Sequence, residues 1–453
     1  MIGIASHFQI KHSDQMVFDW HFKPAVIGRA LPHQEVVFSR TYHRDHFYIK
    51  VRWCGPIWIK VAVRYSINFS DRTICLEQIA GSFVKEVYRC SVQSLAGGKA
   101  ELIEKVTWKL WCPLFQKQLS RRLTHCIAYK NEVIDQDLQL VTKYLPSKKL
   151  KVIVTGSSGL IGQALCSFLR FAGHDVWRLV RSSLKKGQVL LWNSVEQRTN
   201  SSAFEGFDAV VHLAGENIGR GRWTKSRKER LVSSRVEVTR QLAFFLSQLK
   251  TPPKTLVCAS AIGFYGDRDD QWVTEQDSPG SREFFLSKLC QDWEQAAQSF
   301  SRAGEKCGLG VRVVRARFGV VLSDRGGALQ QMIVPFKWGL GGVIGKGSQY
   351  MSWIVLEDLV GALYHILMTS SLHGAVNCVS PEPVQQRFFA RALAKQLHRW
   401  CGPPMPAAIV NLGFGQKGRE LLLASTRVKP QRLLDTGYSF YYPTLKEALS
   451  HVV

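Results

Sequence analysis

The stretch "KLKVIVTGSSGLIGQALCSFLRFAGHDVWRLVR" constrains this chain more than any other part of it. "KLKVIVTG" reads as a buried strand, "LIGQALCSFLRFAGH" as a helix stopped by Gly173, and "DVWRLVR" as a second strand. Between strand and helix stand Gly156, Gly159 and Gly162, a G-x-x-G-x-x-G loop. Glycines let backbone turn sharply and approach a pyrophosphate without a Cβ clash, while the helix N-terminus offers free N–H groups. Such a terminus contributes about 0.3–1 kcal/mol toward an anion. Three glycines alone also fit an ordinary tight turn. The ordered strand, loop, helix and second strand point instead to a dinucleotide held at Gly156, Gly159 and Gly162.

The end of the second strand selects among dinucleotides. NAD binding favours Asp or Glu there, to accept from the ribose hydroxyls. "VWRLVRSS" offers Arg181 and no carboxylate. A guanidinium fork suits a 2′-phosphate, so NADP(H) is expected in preference to NAD. The alternative is that Arg181 merely solvates a basic surface.

Further strands, "FDAVVHLAG" and "KTLVCASA", alternate with helical stretches. That period predicts an α/β fold, a Rossmann doubly wound parallel sheet. Residues 1–145 follow another pattern. "SDQMVFDWHF" is a capped helical start, followed by the strand-like runs "EVVFSR", "HFYIKVRW", "IWIKVAVRYSI", "TICLEQI", "FVKEVYRCSV" and "AELIEKVTWKLW". "LAGGKA" between the last two is a hairpin turn. Leu119, Leu123, Ile127, Ile134, Leu138 and Val141 then form one apolar helical stripe. An antiparallel sheet around one long C-terminal helix resembles the helix-grip, START-like (polyketide-cyclase-like) domains. That resemblance implies an α+β unit with a cavity for a hydrophobic ligand; the alternative is a filled core. "YLPSKKL", from Tyr144 to Leu150, reads as the linker.

The chain has 453 residues and a net charge of +25, of which +10 lies in residues 1–150. A diffuse positive field favours acidic partners such as nucleotides, nucleic acid or anionic lipid. No aromatic-interleaved basic cluster or zinc spacing supports nucleic acid. Eleven scattered cysteines without a C-x-x-C imply reduced thiols and a cytoplasmic protein. The opening "MIGIASHFQIKHSD" is a poor signal peptide, and no apolar run approaches the roughly 20 residues of a membrane span.

The motifs "VTGSSGLIG", "VVHLAGENIGRGRW", "SSRVEVTRQL", "ASAIGFYGD", "LCQDWEQAA", "GGALQQMIVPFKWGLGG", "MSWIVLEDLV" and "VNCVSPEPV" occur in order. Together they resemble the NAD(P)-dependent epimerase/dehydratase-like branch of the short-chain dehydrogenase/reductase superfamily. The subgroup resembled is the one with a C-terminal extension, here containing "RVKPQRLLDTGYSFYYPTLKEAL". The resemblance implies a Rossmann domain over 149–400 and an extension over 401–453 that covers an unidentified small-molecule substrate. It carries over the phosphate loop (Thr155, Gly156, Ser158, Gly159, Leu160, Ile161 and Gly162), Arg181 and the turn Leu213, Ala214 and Gly215, with Glu216 after it. Asn217, Arg222, Trp223, Arg235 and Trp353 are expected on the substrate side.

In extended members of that superfamily a Ser or Thr and a Tyr-x-x-x-Lys pair relay the proton that accompanies hydride transfer. In "GSREFFLSKLCQDWEQA" the tyrosine slot holds Phe284, while Lys288 keeps its place. The serine slot falls on Ala261, with Ser260 one residue earlier. Candidate catalytic residues are therefore Ser260, Tyr265 and Lys288. Two functions stand open: an NADP-dependent oxidoreductase or epimerase-like enzyme with an unconventional acid, and a non-catalytic NADP(H)-binding sensor.

Overall fold

Inward and outward residues alternate along "KAELIEKVTWKL", burying Ala100, Leu102, Glu104, Val106 and Trp108 on one face, as a half-buried strand requires. The structure is a computed structural model. It describes residues 2–22, 36–42, 46–54, 57–80, 84–110, 116–145, 148–181, 188–192, 201–306 and 310–453. Two units divide the chain, 1–147 and 148–453.

The first unit is one seven-stranded antiparallel sheet. Its strands are β1 (Ile2–Ile10), β2 (Val36–Tyr42), β3 (His46–Cys54), β4 (Ile57–Asn68), β5 (Thr73–Ala80), β6 (Val84–Leu95) and β7 (Lys99–Leu110). They lie in the order β1-β7-β6-β5-β4-β3-β2. Gly97 and Gly98, both at positive φ, turn the β6–β7 hairpin. The opening residues, considered above only as a leader, pair along their whole length with β7. A helix over Asp14–Phe22 and a long one over Gln116–Lys143 complete the unit, the latter burying Ile127, Ile134 and Leu138.

The interior between that helix and the sheet is not purely apolar. Glu104 lies on the inward parity of β7, fully buried, and its carboxylate is paired with the Lys130 ammonium. Lys130 Nζ also donates to Tyr88 Oη (2.7 Å), Tyr88 Oη to Glu104 Oε1 (2.5 Å), and Asn131 Nδ2 to Glu104 Oε2 (2.8 Å). A buried charge needs such partners, since desolvation costs several kcal/mol per ion, roughly. His21 borders this cluster, and burial drives its pKa down to about 3, so it is neutral.

The main sheet of the second unit has seven parallel strands among the described residues. They include β8 (Lys151–Thr155), β9 (Asp175–Val180), β10 (Val189–Leu191), β11 (Ala209–His212) and β12 (Thr255–Ala261). The order is β10-β9-β8-β11-β12, then the strands Arg312–Phe318 and Gly374–Cys378. Strand order reverses between β8 and β11, which is where such sheets open a ligand crevice. The helices Leu160–Phe171 and Leu356–Met368 pack together, as do Val238–Ser247 and Phe285–Lys306. Residues beyond 400 are woven into this unit: Gly402–Met405 pairs with Gly342–Ile344, and Arg427–Val428 with Trp272–Val273. No helix among the described residues is long and apolar enough to cross a membrane. Cys75, Cys90, Cys126, Cys166, Cys258, Cys290, Cys378 and Cys401 are free thiols.

Candidate functional site: a dinucleotide cradle at the strand crossover

Thr155 ends β8 and is buried, and its hydroxyl accepts the backbone N–H of Leu213 and of Ala214, both at 3.1 Å. The same oxygen lies 2.8 Å from His212 Nδ1, whose Nε2 lies 2.9 Å from Thr239 Oγ1. Burial lowers the His212 pKa to about 4, so a neutral ring bridges the two hydroxyls. Two loops are thereby locked side by side: the glycine loop after β8 and the "LAG" turn after β11.

The glycines are required sterically. Gly156 has φ +64°, and a Cβ there would lie 2.7 Å from the carbonyl carbon and oxygen of Leu213. A Cβ on Gly162 would lie 2.3 Å from Gly156 O. The helix Leu160–Phe171 begins at Gly159, which supplies no side-chain cap, leaving the first-turn N–H groups without one. Ser158 and Gly159 are exposed at this tip, with Leu160 and Ile161 half-buried behind. This arrangement fits a pyrophosphate: free donors, a positive helix end and no side chain in the way. Arg181 is exposed immediately after β9.

Beyond the "LAG" turn the expected substrate-side residues are largely engaged elsewhere. Glu216 is ion-paired with Arg227, and Arg230 Nε lies 3.7 Å from it. Arg235, expected on the substrate side, is buried instead. Its Nη2 donates to Glu216 O (2.8 Å) and its guanidinium lies over the Trp293 ring. It sits in a π-helical turn, Ser233–Glu237, and its Cζ would meet a Cβ on Gly215 at 3.2 Å. Trp353 is likewise a core residue rather than a crevice residue, because "SWIV" is a fully buried strand segment. Trp223 is buried against Phe285, with ring centroids 5.0 Å apart. Arg222 is exposed and donates to Gly413 O (3.0 Å), while Asn217 caps its own loop through Gly219 N.

At the end of β12 the candidate proton carriers separate. Ser260 is 3% exposed and donates to Glu294 Oε1 (2.8 Å). Tyr265 is 0% exposed; its phenol donates to Asn377 Oδ1 (2.7 Å) and accepts from Arg317 Nη1 (2.8 Å). Burial raises the Tyr265 pKa to about 12 despite the neighbouring Arg317. Arg317 in turn grips Glu294 with Nε (2.7 Å) and Nη2 (2.8 Å). Phe284, in the tyrosine slot, is 46% exposed, and Lys288 is exposed one turn on.

Residue patterns gave little warning of this Ser260–Glu294–Arg317–Tyr265–Asn377 network. The available signal was Arg317 itself, a charge inside the apolar strand "VRVVRARF", which implies a buried counter-ion. Glu420 was also missed. Its carboxylate accepts the backbone N–H of Phe285 (3.1 Å) and Leu286 (2.7 Å), capping the helix that carries Lys288.

The family model described as "NAD dependent epimerase/dehydratase family" matches residues 152–378, and "Domain of unknown function (DUF1731)" matches 405–452. Epimerase family protein Mb2239 of Mycobacterium bovis is 40% identical over 300 residues, 66% of this chain and 96% of that protein. The human epimerase family protein SDR39U1 is 37% identical over 306 residues, 67% of this chain and 100% of that protein. Its crystal structure with NADPH superposes with TM-score 0.59 at 34% identity, covering 66% of this chain and 98% of that one. A crystal structure of a nucleoside-diphosphate sugar epimerase from Corynebacterium glutamicum matches at TM-score 0.78 and 26% identity. It covers 99% of this chain and 89% of that one. With its nucleotide cradle and these relatives, the chain belongs to the NAD dependent epimerase/dehydratase family.

Proposed function

We propose that this protein is an NADP(H)-dependent oxidoreductase acting on a small carbonyl or hydroxyl compound without a tyrosine acid. The observation that carries the NADP(H) reading is the exposed Arg181 at the end of β9, where a carboxylate would favour the unphosphorylated ribose. The human relative's structure with NADPH supports it. The cradle of Gly156, Ser158, Gly159, Leu160, Ile161 and Gly162 holds the pyrophosphate, while Thr155 fixes Leu213, Ala214 and Gly215 beside the adenosine. Nicotinamide, when bound, supplies the hydride chemistry.

Ser260 and Tyr265 act as positioning residues in this reading. Both hydroxyls are buried and committed to the Glu294–Arg317 pair, so they hold the end of β12 in place. Lys288, exposed one turn beyond Phe284, would contact the cofactor ribose, and the proton would come from solvent. A second reading, a non-catalytic NADP(H) sensor, is favoured by Phe284 and Ala261, which have no proton to relay where the family's tyrosine and serine stand.

For residues 1–145 we propose a helix-grip (START-like) fold. Seven antiparallel strands and one long closing helix support it, and the Glu104–Lys130 cluster would meet the polar end of an otherwise apolar ligand. Free thiols favour a cytoplasmic location.

The test is titration with NADPH and NADH against the intact protein and Arg181→Ala. A charge-assisted bond is worth about 1.5–3 kcal/mol, so the variant should lose roughly 10–150-fold in NADPH affinity and little for NADH. Equal affinities for both cofactors in the intact protein would overturn the preference. Steady NADPH consumption with a carbonyl panel separates enzyme from sensor.

A further inference from the structure

Large apolar side chains are exposed on three neighbouring segments of the second unit. The helix Ala328–Lys337 runs into Trp338, 78% exposed, and Leu340, 73% exposed. The following strand, Gly342–Ile344, pairs with Gly402–Met405, which brings Trp400 and Met405 alongside. Met405 leads directly into the helix Ala407–Phe414. That helix buries Val410 alone and exposes Ile409, Leu412 (85%) and Phe414. A helix this apolar (AAIVNLGF) with one buried residue is stable in water only with something covering it.

The sequence flanking it is predominantly basic, with Glu382 and Glu420 just outside it. Residues 383–419 contain six Lys and Arg and no Asp or Glu; residues 325–356 contain three and none. Arg387, Arg391, Lys395 and Arg399 recur at every fourth position along and just past the helix Gln386–Gln396. All four are exposed, and the last adjoins Trp400. Lys337 adjoins Trp338.

We propose that this face docks onto an anionic lipid surface. Interfacial tryptophans, an apolar helix lying flat and a rim of cations are what such a surface takes up, without any segment crossing it. A second copy of the chain is a poorer occupant, because a two-fold contact would set the same cations against each other. The docked helix is also tied to the crevice. Lys417 Nζ donates to Gly219 O (2.5 Å) and Gly221 O (3.0 Å), and Arg222 to Gly413 O, so the patch is hydrogen-bonded to the loop after the "LAG" turn.

The experiment is co-sedimentation of the full chain with vesicles of phosphatidylcholine alone and of phosphatidylcholine mixed with phosphatidylglycerol. Binding is expected to the anionic vesicles, weakening as salt rises. Leu412→Glu combined with Trp338→Glu should abolish it without lowering the melting temperature, since both positions are exposed. Arg391→Gln with Arg399→Gln should weaken it about thirtyfold, two cations being lost at about 1 kcal/mol each. No binding to anionic vesicles overturns the proposal, as does undiminished binding by the Leu412→Glu/Trp338→Glu variant. A dimer that Leu412→Glu converts to a monomer, with no vesicle binding, assigns the face to self-association and overturns it equally.

Discussion

Replacing Tyr265 by phenylalanine separates a positioning role from a catalytic one. The phenol donates to Asn377 Oδ1 and accepts from Arg317 Nη1, and it is 0% exposed. Removing the oxygen leaves one buried acceptor and one buried cationic donor without that partner. Each orphaned group costs about 1–3 kcal/mol, so the variant should lose roughly 2–5 kcal/mol of stability. For a large domain that corresponds to a fall in melting temperature on the order of 5–15 °C. Arg317 keeps its two bonds to Glu294, so the fold should survive. NADPH affinity, measured calorimetrically below the transition, should stay unchanged, because the cradle is built from β8 and β11. A catalytic acid would behave in the opposite way. Its loss would cut turnover by about 10²–10⁴ while leaving melting nearly unaffected. A Tyr265→Phe protein that melts with the parent and loses all NADPH turnover would therefore refute the reasoning.

Three further outcomes are expected. Gly156→Ala forces φ +64° on a residue with a Cβ that would sit 2.7 Å from Leu213. NADPH affinity should fall at least about tenfold, with circular dichroism unchanged. Glu420→Ala removes the cap on Phe285 N and Leu286 N and should cost about 0.5–2 kcal/mol in urea unfolding, partly restored by Glu420→Gln. Burial raises the Asp358 carboxyl from 3.8 to about 7 despite the backbone N–H bonds from Tyr441 and Tyr442. The folded state then holds a proton that the unfolded chain has released, so this contribution to stability falls as pH rises from about 4 to 7. Asp358→Asn should flatten that part of the melting-versus-pH curve, and an unaltered slope would count against it.

Features set by neighbouring residues were legible in the amino-acid order. The glycine loop, the hairpin turn between β6 and β7 and the apolar stripe of the long helix all depend on contacts within a few residues. The parallel sheet followed from its repeating period. What escaped notice joins distant positions. Tyr265 meets Asn377 across 112 residues, and Glu420 reaches back 135 residues to Phe285. Trp20 donates to Asp137 across 117. Arg235 and Trp353 were expected on the substrate side from the family resemblance, yet Arg235 is buried in a π-helical turn and Trp353 in a buried strand. The strand β1 was passed over because its first residues were weighed only against a secretory leader.

The cap that Glu420 places on the helix Phe285–Lys306 has a consequence for biosynthesis. Chains emerge from the ribosome at about 5–20 residues per second, N-terminus first. That helix therefore waits for its end-stop while more than a hundred later residues are made, and the pairing of Trp272–Val273 waits longer still, for Arg427–Val428. The antiparallel unit has all its strands in hand long before then. Nascent chains cut short before position 420 should hold a finished first half beside a second half that proteases still open.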